Sequence, residues 1–248
     1  MCWNKEVSIA FSIVELCGII YLYGLCRGSG SPTIHMFPML ISILLIEVSE
    51  AFLWPYVTAS YDATIDSTCP MINSLVTRFI YVTLCFQPIF VNMAAYYIHN
   101  NLYDRRMFSV PLKLSLIVGG GLVLSMLCGE LLEIDLRSFI DTGDKGFHNT
   151  VSCSYIGNHS HMHWTWKNSA HFLLPNGFTY IIMFIPPLFS KPYWVVAFPV
   201  AFYLCVLATL FVAFDFSFEA GSVWCWTAMG LHIYYIGCEY MISIYQQQ

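Results

Sequence analysis

Glu47 and Glu50 stand three residues apart inside the apolar run from Phe37 to Trp54, and residues three apart share one face of a helix. A carboxylate at membrane depth costs about 3 kcal/mol on insertion scales unless it faces protein, water or a partner. Other apolar runs carry Glu15, His232 and Glu239, and Arg78 enters a further one. Glutamate and histidine are the residue types that take up and release protons, and ionisable groups in such runs mark proton paths, ion paths or ligand sites by default. Glu50 and Arg78 fall at similar depth and read as a pair. Glu47 lies deeper, with only a protonated His232 as a cation at its own level, and reads as the functional acid. The competing reading is structural, because a buried glutamic acid can sit protonated and serve as a hydrogen-bond donor.

A second constellation is the run Asn158-His159-Ser160-His161-Met162-His163. In an extended segment His159, His161 and His163 share one side, and imidazoles so arranged can hold zinc or copper. No cysteine or carboxylate stands at a familiar ligand spacing, so a plain surface loop is the alternative. Asn158-His159-Ser160 is also an acceptor tripeptide for glycosylation.

The elements that position these residues follow from composition. The 248 residues are 58% hydrophobic and only 10% charged, whereas an ordinary soluble domain is about 25% charged. A soluble core of this length could not hide so much apolar surface, and a bilayer can. The net charge of −5 and the lack of any basic run exclude nucleic acid as a partner. The partners expected are the lipid bilayer and a small ion or small-molecule ligand.

Continuous apolar runs predict helices rather than barrel strands. Seven spans are read, at about Val7–Cys26, Phe37–Trp54, Asn73–His99, Leu112–Leu132, His171–Leu188, Trp194–Phe214 and Val223–Tyr245. Runs of about 20 residues match a hydrocarbon core about 30 Å thick. The fold class expected is all-α: a single polytopic domain over 1–248, with one sizeable exterior loop at about 133–169. The first span, without a basic leader or a cleavage site before it, reads as uncleaved. Loops after the first, third and fifth spans carry Arg27, then Arg105, Arg106 and Lys113, then Lys191, while the short loops after the second and sixth carry only acids. That asymmetry predicts an amino terminus outside or luminal and a carboxyl terminus in the cytoplasm, in the plasma membrane or an endomembrane. Cys69 and Cys153 then face the oxidising side, where they could form a disulfide or remain two thiols.

Three resemblances add expectations. Seven spans, an exterior amino terminus and a bridge from the third span to the following loop resemble G-protein-coupled receptors in outline. Asp104-Arg105-Arg106 follows a loop-like Asn-Asn-Leu-Tyr, and the last span lacks the receptors' Asn-Pro motif. That span also has no lysine, so no retinal Schiff base is expected. Buried histidine and acid weakly resemble the alkaline ceramidase and progestin-receptor type of membrane hydrolase, which implies zinc, but the last span offers one histidine. Met1-Cys2-Trp3-Asn4 with Ser8, followed by Glu47-x-x-Glu50 and Trp54, resembles a group of small uncharacterised polytopic proteins over about 60 residues and implies no activity. The functions expected, in order, are proton-coupled transport or cation permeation, a non-catalytic receptor-like or assembly role, and a metal-dependent intramembrane hydrolase.

Overall fold

The computed structural model describes residues 4–57, 69–131, 152–156, 161–166, 177–213 and 225–246. Helix α1 spans Lys5–Ser29, and its first turn is capped by Asn4, whose Oδ1 accepts from the Val7 N–H at 2.8 Å. It ends at Gly30, whose φ of 65° is the left-handed conformation that glycine adopts at no steric cost. A 3₁₀ turn, Pro32–Met36, leads into α2, Phe37–Leu53, and a second 3₁₀ turn, Trp54–Tyr56, closes it. Helix α3 is Met71–Tyr97 and α4 is Leu102–Leu131, followed by two strands, β1 Cys153–Ile156 and β2 Met162–Thr165. Then come α5 (Gly177–Ile182), a 3₁₀ turn Pro186–Phe189, α6 (Ala197–Ala213) and α7 (Cys225–Gln246).

The segments Lys5–Ser29, Pro32–Tyr56, Met71–Tyr97 and Leu102–Gly129 are each long and apolar enough to cross a membrane. Helix α1 shows why in its two faces. Ser8, Glu15, Ile19, Leu22 and Cys26 point inward, while Ile9, Ile13, Val14, Leu16 and Ile20 are exposed. A helix that hides its acid and presents its isoleucines is arranged for lipid, not for water. This is a membrane protein, and it is mostly helical.

Three expectations change. Most of the stretch 100–111, read as a loop, belongs to α4: Asn101 caps the helix by accepting from the Tyr103 N–H at 3.0 Å, and the helix runs from Leu102 through Pro111. The described part of the fifth expected span is a six-residue helix and a 3₁₀ turn rather than a continuous helix. The loop read at about 133–169 holds an antiparallel hairpin in which Cys153 pairs with Thr165 and Tyr155 with His163, a small addition to a mostly helical fold.

The core has two ends. Around β1 and β2, Met162, Trp164 and Trp166 pack with Ile46, Leu53, Ile80, Tyr81 and Met126. At the other end Leu22, Phe37, Leu40, Ile43, Val91, Phe184 and Tyr235 form the second cluster. Between them α3 and α4 approach so closely that a Cβ on Gly119 would lie 2.6 Å from the Cys85 carbonyl oxygen and 3.0 Å from Ile89 Cδ1. That contact is with backbone, which cannot swing aside. A Cβ on the neighbouring Gly120 would meet nothing within 4 Å. Gly119→Ala is therefore expected to destabilise by about 1–3 kcal/mol through overpacking, while Gly120→Ala should be neutral or stabilise by up to about 1 kcal/mol. Thermal unfolding of the two variants in the same detergent checks this.

Candidate functional site

Helix α2 exposes Ile41, Leu45, Val48 and Phe52 on one side. On the opposite side Glu50 lies between two flanks. One flank carries Ile46 and Leu53, which join the hairpin cluster. The other carries Glu47 and Trp54, and the Trp54 indole donates to Ser8 Oγ of α1 at 3.2 Å. At 100° per residue, Glu47 is thus turned toward α1, away from the hairpin. Both glutamates are buried.

Helix α7 reaches the same region. A Cβ on Gly18 of α1 would lie 3.9 Å from His232 Cδ2 and 3.5 Å from Ile236 Cδ1, so the two helices touch there. Glu15 sits one turn before Gly18 on that face, with no exposed surface. His232 Nδ1 lies 2.9 Å from the Ala228 carbonyl one turn back. A carbonyl only accepts, so Nδ1 carries the hydrogen and, in the neutral ring, Nε2 is a bare acceptor. That nitrogen is buried with no hydrogen-bond partner among the described residues. The structure thus brings Glu15 and His232 to one helix contact, with Glu47 turned toward the same helix.

Glu239, expected among the same group, sits elsewhere. Its Oε1 accepts from Ser31 Oγ and from Thr33 Oγ1, the latter at 2.5 Å. It therefore ties α7 to the connection between α1 and α2, two turns along from His232. Arg78, half-buried, follows Thr77 on α3 at the hairpin end.

The hairpin is held by the bridge that the sequence offered between Cys69 and Cys153, and by amide and indole groups outside any motif. A disulfide joins Cys69 to Cys153, with Cα atoms 6.0 Å apart. Asn73 uses every hydrogen-bonding site of its amide. Its Nδ2 donates to the Tyr56 and Ser154 carbonyls, both at 2.9 Å, and its Oδ1 accepts from Ser154 N at 2.8 Å and Thr77 Oγ1 at 3.0 Å. Trp166 Nε1 donates to the Thr77 carbonyl at 3.2 Å. His161 is buried and His163 half-buried in this unit, whereas Asn158 and His159 lie outside the described residues. Among the described residues no group of three histidine, cysteine or acidic side chains is placed to hold a metal ion.

At the opposite end His99 fastens α3 to the segment after α5. Its ring stacks on Phe108 at 5.0 Å and 10°, and its Nε2 lies 3.4 Å from Ser190 Oγ. Arg105 Nε donates to the His99 carbonyl at 3.0 Å, and its guanidinium lies over Tyr96 at 5.6 Å. Burial pushes the His99 imidazole below its ordinary range, and the Asp104 carboxylate pulls it part of the way back.

Residues 56–243 match a family model described as a family of unknown function (DUF5765), and the chain belongs to that family. The match takes in α3 to α7, the hairpin and both bridged cysteines, and leaves out Glu15, Glu47 and Glu50. No curated protein and no solved structure matches the chain.

Two outcomes follow. Asn73→Ala strips the hairpin of its central amide and should cost about 2–3 kcal/mol, since it leaves the buried Ser154 N–H and carbonyl and the half-buried Tyr56 carbonyl without their partner. The check is thermal unfolding, with protease cleavage of the hairpin as local readout. For His99 the folded state binds its proton less readily than the unfolded state, whose value is about 6.5. Stability from this contact is present above that pH and is lost as pH falls below it. A melting curve taken from pH 8 to pH 5 should fall through this window for the parent and fall less for His99→Gln.

Proposed function

With membership of a family that carries no assigned activity, we propose that the chain is a seven-span protein with an exterior amino terminus that performs proton-coupled transport, or cation permeation, through the region shared by α1, α2 and α7. The observation that carries this reading is His232. Its imidazole is 2% exposed, its Nδ1 is committed to the Ala228 carbonyl, and its Nε2 is an open acceptor at the contact with the helix that bears Glu15. A ring so held can take a proton at one defined atom without breaking an existing hydrogen bond. Glu47, turned toward α1 one helix away, supplies a second group able to hold that proton. Glu50 with Arg78 at the hairpin end serves as a structural pair beside this path.

The second reading is a non-catalytic receptor-like or assembly protein. It is favoured by the hairpin, which is tied by Cys69–Cys153 and has Met162 and Trp164 packed into the bundle. Such a cap suits a ligand-facing surface as well as a gate. A metal-dependent hydrolase gains no support from the described histidines and acids.

The test is proton flux into liposomes holding purified protein, followed with an internal pH-sensitive dye. The parent should carry flux above protein-free liposomes. Glu47→Gln, in which a neutral amide mimics the protonated acid, should keep the parent's melting temperature and lose that flux. His232→Phe should lose it too. Glu50→Gln should lower stability first. An inert parent would remove the transport reading and leave the receptor-like one; a fully active Glu47→Gln would remove the role given to that acid.

A further inference from the structure

Away from the acids, α3 continues as one helix through Pro88, but its hydrogen-bond ladder is broken there. Proline has no N–H, so the carbonyl of Leu84, one turn back, loses its helical donor. Gln87 lies beside this break and has no exposed surface. Its Oε1 accepts from Tyr180 OH at 3.3 Å and from Tyr203 OH at 3.4 Å, while its Nε2 has no partner among the described residues. Across from it α5 stops short, and the backbone turns at Met183. Asn92 bridges the two places, its Nδ2 donating to the Pro88 carbonyl at 2.8 Å and the Met183 carbonyl at 2.7 Å. The Asn92 Oδ1 is buried with no partner among the described residues. Phe184 completes the surroundings, stacked on Tyr203 at 5.0 Å and edge-on to Tyr180 at 5.4 Å.

The inventory of open valences is therefore mixed and neutral. Among the described residues, Gln87 Nε2 is a donor lacking an acceptor and Asn92 Oδ1 is an acceptor lacking a donor, beside a Leu84 carbonyl that has lost its helical donor. Buried polar groups in native proteins nearly always find partners, so an orphaned one asks for an explanation. Irregular backbone inside a bilayer is tolerated where it is buried in protein or lines a cavity, and broken spans near the midplane are where membrane transporters bind their cargo. Gln87 is ten residues, about 15 Å, from the Tyr97 end of α3, well inside the span. Among the described residues no carboxylate, lysine or arginine takes part in this cluster, which leaves a charged ligand without a counter-charge and favours an uncharged one. Tyrosine and phenylalanine rings provide flat apolar walls for a small organic molecule.

We infer that the junction of the α3 break with the turn after α5 binds a small uncharged solute that both donates and accepts hydrogen bonds, of the amide or alcohol class, with Gln87 Nε2 as the donor offered to it. As the cargo of a transporter this deepens the transport reading and rests on it; as a binding site it can be tested without any flux. The probe is acetamide, observed by saturation-transfer difference NMR on the detergent-solubilised full chain, with acetate as the charged control. The parent should give a saturable acetamide signal and a much weaker acetate signal. Gln87→Met keeps the volume and removes the donor, and should reduce acetamide affinity by about tenfold, the worth of one well-made hydrogen bond. Should Gln87→Met fail to fold, Tyr203→Phe removes a single hydroxyl from the same cluster and should weaken binding in the same direction. No saturable acetamide signal in the parent, equal signals from acetate and acetamide, or parent-like affinity in the folded variant would each overturn the assignment. Acetamide binding by a protein that passes no protons would sustain the site while refuting the transport reading.

Discussion

A polar group carried into a bilayer has no water to return to, so each buried donor and acceptor must be met from within the protein. That constraint organises this molecule more than apolar packing does. Lipid offers the exposed isoleucines and leucines of α1, α2 and α4 an environment as apolar as the core, so burying them among one another would gain little. What draws the helices into one arrangement is the polar and small side chains turned inward: Ser8 to the Trp54 indole, Glu239 to Ser31 and Thr33, Gln87 to Tyr180 and Tyr203, Asn92 to the Met183 carbonyl. Each of these bonds crosses between elements distant in the chain. Gly119 acts toward the same end by letting α4 lie directly on the Cys85 carbonyl.

Much of the helical frame could be read from the residues, because continuous apolar runs have few alternatives in a bilayer. The ends were less legible. Asn101 caps α4, yet the Asn-Asn-Leu-Tyr stretch and Pro111 carry the composition of a loop. A proline near a helix end has water to satisfy the carbonyl it frees, so it need not terminate the helix. The Pro186-Pro187 pair, inside the expected fifth span, is the signal in the sequence that its helix does not run on to Leu188. The hairpin was masked by its own histidines. Their alternation drew attention as a ligand pattern, whereas the same period of two is the signature of a strand whose Met162 and Trp164 face inward.

The site divides in the same way. Spacing alone put Glu47 and Glu50 on neighbouring positions of one helix face, because helical period sets it, and both are buried. It could not reveal that Glu239 is occupied with two hydroxyls, since Ser31 and Thr33 lie more than 200 residues away in a connection of unpredictable path. Nor could it reveal the tautomer of His232, which depends on a backbone carbonyl one turn back. Asn73 and Gln87 went unassigned for a related reason. A neutral amide in a span is unremarkable until its partners are known, and those partners, Ser154 and Tyr203, belong to other elements.

Two kinds of polar interior therefore coexist, and their chemistry keeps them distinct. Around α1 and α7 the groups are glutamates and an imidazole, whose state depends on protons. Around the α3 break they are amides, phenols and backbone carbonyls, whose occupancy depends on hydrogen-bonding solutes and hardly at all on pH. Helices α2 and α3 pack against each other, and Tyr203 of α6 shares a cluster with Leu231 and Tyr235 of α7, so a change in charge on one side can reach the other through either packing. The hairpin bears on both helices at once, through Ile46 and Leu53 of α2 and through Ile80 and Tyr81 of α3, while its disulfide ties it to the residue two before α3 begins. Any relative movement of α2 and α3 must therefore either carry the hairpin along or unseat Trp164 and Trp166 from between them. A coupling between proton uptake and solute binding has that contact as one route, and the packing of Tyr203 of α6 with Tyr235 of α7 as another.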